Sequence, residues 1–114
     1  MRASLLAMLL PLAATQEAVP ARLVAATRNG GLALVVEPGP GVRLSARAAP
    51  TLELQDGRVV RLDHGAVTAD SAYFATAPWG PHPSGTALRG TLRVGYCRAH
   101  ERFCRTAALH VEVP

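Results

Sequence analysis

The sequence contains no lysine, few aromatic side chains and only two cysteines, and the first two scarcities bear directly on function. All 12 basic side chains are arginine, and the formal net charge is +4. The arginines are scattered singly along candidate strands, as in Arg58 and Arg61 or Arg89 and Arg93, and aromatic residues make up 4% of the chain. A nucleic acid interface needs clustered basic side chains and aromatic rings on which bases stack. The composition therefore gives no argument for nucleic acid binding and is compatible with acidic partners.

The sequence also lacks any segment with the periodicity of an amphipathic helix. The chain is 49% hydrophobic and 18% charged, which is too apolar and too weakly charged for a disordered protein. After residue 21 no segment combines a helical period with helix caps. A length of 114 residues leaves room for one domain. We therefore expect a single domain built from strands, with Val, Leu and Ala forming its core.

The one long hydrophobic run lies at the N-terminus. Arg2 precedes an apolar run over residues 3–14, and small residues follow it. This layout is typical of a secretory signal peptide, and the run is too short to span a bilayer as a helix. Two sites have small residues suited to cleavage, Val19-Pro20-Ala21 and Ala13-Ala14-Thr15. The sequence therefore predicts export, with the cleavage site open between these positions.

Export divides the chain into a signal peptide over residues 1–21 and a mature domain over residues 22–114. We expect a periplasmic or secreted monomer, and no second hydrophobic segment predicts stable membrane insertion after cleavage. In an oxidising compartment two cysteines are expected to be paired.

Short β-prone runs separated by turn residues fill the mature chain. Asn29-Gly30-Gly31 and Asp56-Gly57 are hairpin signals. The proline-rich residues 78–85 are expected to form a loop and cannot form a central strand, because proline lacks the amide hydrogen. This pattern predicts an all-β, immunoglobulin-like β-sandwich of about seven to nine short strands. The candidate strands are residues 22–27, 32–37, 41–45, 51–55, 58–62, 66–68, 72–76, 86–97 and 105–113.

The two cysteines carry the most concentrated chemistry. Cys97 ends one candidate strand and Cys104 begins the next, so that in an antiparallel hairpin they can lie opposite each other. Opposed residues have Cα separations of about 4.5–5.5 Å, which suit a disulfide. Arg98, Arg102 and Arg105 flank the pair, and positive neighbours favour the thiolate, the attacking form in disulfide exchange. A bridge that only braces a fold gains more from linking distant strands.

Three interpretations of the pair stay open from the residues alone. The first two are a redox pair and a structural bridge across the hairpin. The third is a metal site made by Cys97, His100 and Cys104, with His110 as a fourth ligand. The surrounding arginines disfavour a cation, and the spacing matches no strong zinc pattern, so the metal site ranks third. We expect no cofactor.

The C-terminal part of the chain resembles a known family. The resemblance runs from Leu92-Arg93-Val94-Gly95-Tyr96-Cys97 through Cys104 to Val111-Glu112-Val113-Pro114. These residues resemble the N-terminal periplasmic domain of the thiol:disulfide interchange protein DsbD and the related C-terminal domains of NHL-repeat thioredoxin proteins. Gly41-Val42-Arg43-Leu44-Ser45, followed by Ala49-Pro50, resembles the segment after the second strand of that family.

The resemblance implies an immunoglobulin-like fold and a catalytic role for Cys97 and Cys104, one attacking a partner's disulfide and the other resolving the mixed disulfide. It also implies an aromatic cap over the pair, for which Tyr73-Phe74 and Trp79 are the candidates. The predicted function is an exported thiol–disulfide exchange module that passes electrons to or from another exported thiol or thioredoxin-like protein. The alternative is a non-catalytic immunoglobulin-like binding or structural domain with a structural disulfide.

Overall fold

The computed structural model describes residues 19–114, so the predicted signal peptide lies outside the described residues except for its last three positions. The described part contains eight strands and no helix, and hence no helix that could cross a membrane. The strands are β1 (Ala21–Arg28), β2 (Gly31–Pro38), β3 (Val42–Leu44), β4 (Thr51–Leu54), β5 (Val59–Arg61), β6 (Trp79–Pro81), β7 (Leu88–Arg98) and β8 (Arg105–Val113).

The first sheet has the strand order β1–β2–β6 and is antiparallel throughout. β1 and β2 form a hairpin whose two turn residues, Asn29 and Gly30, have φ angles of 51° and 81°. A type I′ turn requires positive φ at both central residues, which Asn-Gly adopts at little cost. The hairpin predicted at this position is therefore confirmed.

The second sheet is organised around β7, its longest strand. β8 pairs with one edge of β7 over nine residue pairs. β3 and β4 both pair with the other edge, β3 opposite the C-terminal end of β7 and β4 opposite its N-terminal half. β5 pairs with β4 through the Asp56-Gly57 turn, where Gly57 has a φ of 92°. As a result, β7 is a central strand and β8 is an edge strand.

The core lies between the two sheets. Alternate residues of β7 are buried, and the even-numbered positions of that strand face the core. The same alternation on β8 turns its odd-numbered residues inward. An all-β sandwich with a strand count between seven and nine is thus confirmed. The buried cluster draws on both sheets and consists of Ala21, Leu23, Leu34, Val36, Val42, Leu44, Leu52, Leu54, Leu62, Leu92, Val94, Tyr96 and Val113.

The segment between β5 and β7 differs from the predictions. Residues 66–68 and 72–76 do not form strands; they make only isolated bridges, Val67 to Phe74 and Ser45 to Tyr73. Residues 78–85, expected to be a loop, contain the short strand β6 at the edge of the first sheet. The hydrogen bonds that join this segment to β2 include one accepted by the Pro78 carbonyl oxygen and one donated by the His82 amide. The pairing therefore needs no amide hydrogen from a proline.

The folded domain begins slightly before residue 22. Ala21 is the first residue of β1, has a buried side chain and pairs with Pro38. The Pro20 carbonyl oxygen accepts a hydrogen bond of 2.9 Å from the Gly39 amide. Pro20 and Ala21 therefore take part in the packing of the first hairpin.

Candidate functional site

The two cysteines form a disulfide at the loop end of the β7–β8 hairpin. The last pair of the β7–β8 ladder joins Tyr96 to Arg105, and one further step of this register places Cys97 directly opposite Cys104. Their Cα atoms are 4.2 Å apart, close to the spacing of about 4.5 Å for opposed residues that share no backbone hydrogen bonds. The predicted pairing and its position across the hairpin are both present.

The bridge lies on the face of the second sheet that points away from the core. Tyr96 faces the core, and because side chains alternate along a strand, Cys97 faces outward. Cys97 is nevertheless only 8% exposed, whereas Cys104 is exposed. The two halves of one disulfide thus differ strongly in their access to solvent.

Arg43 and Tyr73 lie beside the buried half of the bridge. Arg43 of β3 is the ladder partner of Cys97, so both side chains leave the sheet on the same face. The guanidinium carbon of Arg43 stands 4.0 Å from the centre of the Tyr73 ring, a cation–π contact. Tyr73 is held there by its bridge to Ser45, two residues after Arg43. Cys104, Cys97, Arg43 and Tyr73 therefore occupy one continuous stretch of the outer face.

The segment that holds Tyr73 is fixed by a local hydrogen-bond network. The Thr68 hydroxyl donates to the Asp70 carboxylate at 2.7 Å, and the Ala72 amide donates to the same oxygen at 3.1 Å. The Tyr73 amide donates to the Thr68 hydroxyl oxygen at 3.2 Å. The hydrogen bond from the Thr68 hydroxyl lowers the pKa of Asp70 below 3.8, and the bond from the Ala72 amide lowers it further.

The loop between the cysteines is held at several points. The Ala99 amide donates to the Gly41 carbonyl, and the Glu101 amide donates to the Arg98 carbonyl, each at 3.0 Å. Glu101 also forms an ion pair with Arg105, with 3.2 Å between Nε and Oε1. Phe103, which directly precedes Cys104, is 75% exposed. The loop therefore presents one large apolar side chain next to the accessible cysteine.

The other residues considered for the site lie elsewhere. Phe74 packs against the core, and Trp79 lies in the first sheet, where its ring stacks on His64 with 4.4 Å between ring centres. Of the aromatic candidates for a cap, only Tyr73 is therefore linked to the surroundings of the bridge. His110 is the ladder partner of Thr91, well along β8 from the cysteines.

No metal site is formed in residues 19–114. Both sulfurs are bonded to each other, and the described residues hold no group of three His, Cys, Asp or Glu side chains placed for a metal ion. Cys97 and Cys104 instead form a disulfide in which Cys104 is exposed and Cys97 is buried.

The sequence did not identify Arg43 as a neighbour of the bridge, whereas Tyr73 was one of the cap candidates implied by the resemblance. Arg43 becomes adjacent to Cys97 only through the pairing of β3 with β7, and nothing local to residues 41–45 specifies that partner. Comparison with protein families, with curated proteins and with solved structures gives no match to this chain.

Proposed function

We propose that this domain is an exported thiol–disulfide exchange module in which Cys97 and Cys104 pass electrons to or from another exported thiol or thioredoxin-like protein. The observation that carries the proposal is the unequal exposure of the two cysteines. Exchange needs one sulfur that a partner can reach and a second sulfur that can attack it from within the protein. We assign these roles to Cys104 and Cys97 respectively.

The chemistry balances in either direction. When the domain is oxidised, a partner thiolate attacks Cys104 Sγ, and Cys97 leaves as the thiolate and takes up a proton. A second partner thiol then attacks the partner's sulfur in this mixed disulfide and releases Cys104, so two electrons have moved to the domain. In the reverse direction the Cys104 thiolate attacks a partner disulfide and expels one partner thiolate. The Cys97 thiolate then attacks Cys104 Sγ, which restores the bridge and releases the second partner thiolate, so two electrons have moved to the partner.

The electrostatic surroundings support the same proposal. Arg43 lies beside Cys97 across the strand pair, and Arg102 and Arg105 lie within two residues of Cys104. Positive side chains favour the thiolate, which is the attacking species and also the leaving group. The charge of Arg105 is offset by its ion pair with Glu101, so the effect rests chiefly on Arg43 and Arg102.

The position of the bridge is a further support. Cys97 and Cys104 are 7 positions apart in sequence and join strands that the β7–β8 ladder already pairs. Disulfides stabilise mainly by closing long loops in the unfolded chain, and this loop is short. Opening the bridge is therefore compatible with a folded domain, as a redox cycle requires.

The assignment of roles is tested with the variants Cys97→Ser and Cys104→Ser, each of which keeps one free thiol. Serine is nearly isosteric with cysteine, and far-ultraviolet circular dichroism checks that both variants fold. We expect the Cys104 thiol of Cys97→Ser to react with 5,5′-dithiobis(2-nitrobenzoate) about tenfold faster than the Cys97 thiol of Cys104→Ser, because access controls the rate. Equal rates, or a faster Cys97, would contradict the proposed roles.

The same variants test turnover. Reduced wild-type domain treated with glutathione disulfide should regain its bridge, passing through a glutathione adduct that does not persist. Cys97→Ser should accumulate that adduct on Cys104, as mass spectrometry can measure, because it lacks the resolving thiol. A wild-type domain that keeps glutathione bound, without closing its bridge, would contradict the resolving role of Cys97.

A further inference from the structure

Some arginine side chains of the described residues are neutralised by a nearby carboxylate, and others are not. Six of the seven acidic side chains in residues 19–114 are ion-paired with arginine. Within this part of the chain, Arg43 and Arg102 have no carboxylate oxygen within 4.0 Å. The one acidic residue of the loop, Glu101, is paired with Arg105. At Arg43 and Arg102 the surroundings of the bridge therefore carry positive charge that no carboxylate of residues 19–114 neutralises.

The same region holds the most exposed aromatic ring of the described chain. Phe103 is 75% exposed, whereas Tyr96 and Phe74 pack in or against the core, Trp79 stacks on His64, and Tyr73 stacks on Arg43. A phenylalanine left in water forgoes the favourable burial that a partner surface would supply. Its position directly before Cys104 places this residue next to the cysteine that a partner's sulfur has to reach.

We infer that Arg43, Arg102, Phe103 and Cys104 form a docking surface for a partner segment that has acidic side chains and an apolar side chain beside its reacting cysteine. This inference rests on the proposed exchange function and names the chemistry of the partner. Arg43 marks one end of the row that continues through Cys97 to Cys104, and Arg102 is an exposed residue of the loop, two positions before Cys104. An acidic segment that reaches the accessible cysteine therefore approaches positive charge from both the sheet and the loop.

The charge acts chiefly on the rate of encounter. Exposed charges steer an oppositely charged partner over a distance of about one Debye length, which is about 10 Å at 0.1 M salt and about 3 Å at 1 M. Attraction to the docking surface is therefore strong at low salt and screened at high salt. The contribution of Phe103 is apolar and does not weaken with added salt.

The test uses synthetic peptides of one cysteine each, activated as the mixed disulfide with 5-thio-2-nitrobenzoate. One peptide carries Asp and Glu beside the cysteine, and a second carries Arg at the same positions. The pre-reduced domain attacks the peptide sulfur through Cys104, expels 5-thio-2-nitrobenzoate as a coloured thiolate, and then releases the peptide thiol as Cys97 closes the bridge. We expect the acidic peptide to react about tenfold faster at ~0.05 M salt and the two rates to converge at ~1 M.

The ratio of the two rates isolates docking from thiol reactivity. Loss of an arginine also changes the nucleophilicity of the thiols, but that change slows both peptides alike and cancels in the ratio. Combining Arg43→Gln with Arg102→Gln should bring the ratio close to one. Arg28→Gln is the matched control, because Arg28 is likewise exposed and without an acidic partner but lies at the β1–β2 turn; it should leave the ratio unchanged.

A second peptide pair tests Phe103. The acidic peptide is made with either leucine or serine next to its cysteine. Phe103→Ala should slow the leucine peptide about fivefold and leave the serine peptide nearly unaffected, because only leucine can bury against the ring. Equal slowing of both peptides would contradict an apolar contact at this position.

The outcomes separate the inference from the function on which it rests. Release of 5-thio-2-nitrobenzoate from both peptides at equal rates, independent of salt, overturns the docking surface and leaves the exchange function standing. No release from either peptide overturns both. A ratio that falls in Arg28→Gln as much as in the double variant also overturns the inference, because overall charge would then explain the preference.

Discussion

Reduction of the Cys97–Cys104 bridge is expected to lower the free energy of unfolding by about 2.5 kcal/mol and to leave the domain folded. The cysteines are 7 positions apart, and the chain-entropy relation for a loop of about eight residues gives about 2.5 kcal/mol at 25 °C. A loop of about 100 residues would give about 4.7 kcal/mol. The nine residue pairs of the β7–β8 ladder and the buried cluster remain in place without the bridge.

Urea unfolding measures this difference. The oxidised domain, the domain reduced with dithiothreitol and a variant with both cysteines replaced by serine are unfolded under the same conditions, and the three free energies in water are compared. The reduced domain and the double variant should agree, because both lack only the cross-link. A loss of about 5 kcal/mol, or a reduced domain that is unfolded without urea, would contradict this expectation, since that is the behaviour of a bridge on which a small exported domain depends.

Three further outcomes follow from the packing. Gly90→Ala should lower the free energy of unfolding by about 1–3 kcal/mol in urea titrations, because the added methyl would overlap the Glu53 carbonyl oxygen across the strand pair. Carboxyl NMR should place the pKa of Asp70 below 3.8, and the Thr68→Val substitution should raise this pKa towards 3.8. Because the pKa is lower in the folded state than in the unfolded state, ionised Asp70 stabilises the fold at neutral pH. That contribution disappears as the pH falls below 3.8 through the folded-state pKa. For a chain that is exported as proposed, N-terminal sequencing should find cleavage before Ala21, because this residue is buried as the first residue of β1; a mature chain that begins at residue 22 would contradict this.

Features governed by nearest neighbours were predictable from the sequence. The turn at Asn29 and Gly30 was predictable because asparagine and glycine are among the few residues that readily adopt positive φ. The alternation of β7 and β8 follows from burial on one face only, and the apolar residues of each strand lie mostly on one register. The facing positions of Cys97 and Cys104 follow from the short loop between two strands of matched register.

Features governed by distant pairing were not predictable. β6 forms because β2 offers its free edge to a proline-rich segment that has little strand propensity of its own. The contact between Arg43 and Tyr73 depends on β3 pairing with β7 and on the bridge from Ser45 to Tyr73. No local pattern encodes which strand edges meet, so the sheltering of Cys97 and the exposure of Cys104 emerge only from the folded chain.

The reduction potential of the Cys97–Cys104 pair distinguishes an exchange module from a structural bridge. The domain is equilibrated in buffers of defined glutathione or dithiothreitol potential, and the reduced fraction is read from alkylated thiols by mass spectrometry. An exchange module should have a potential in the range of known exchangers, about −120 to −270 mV. A potential below about −300 mV would mark a structural bridge that partners do not open, and it would contradict the proposed function.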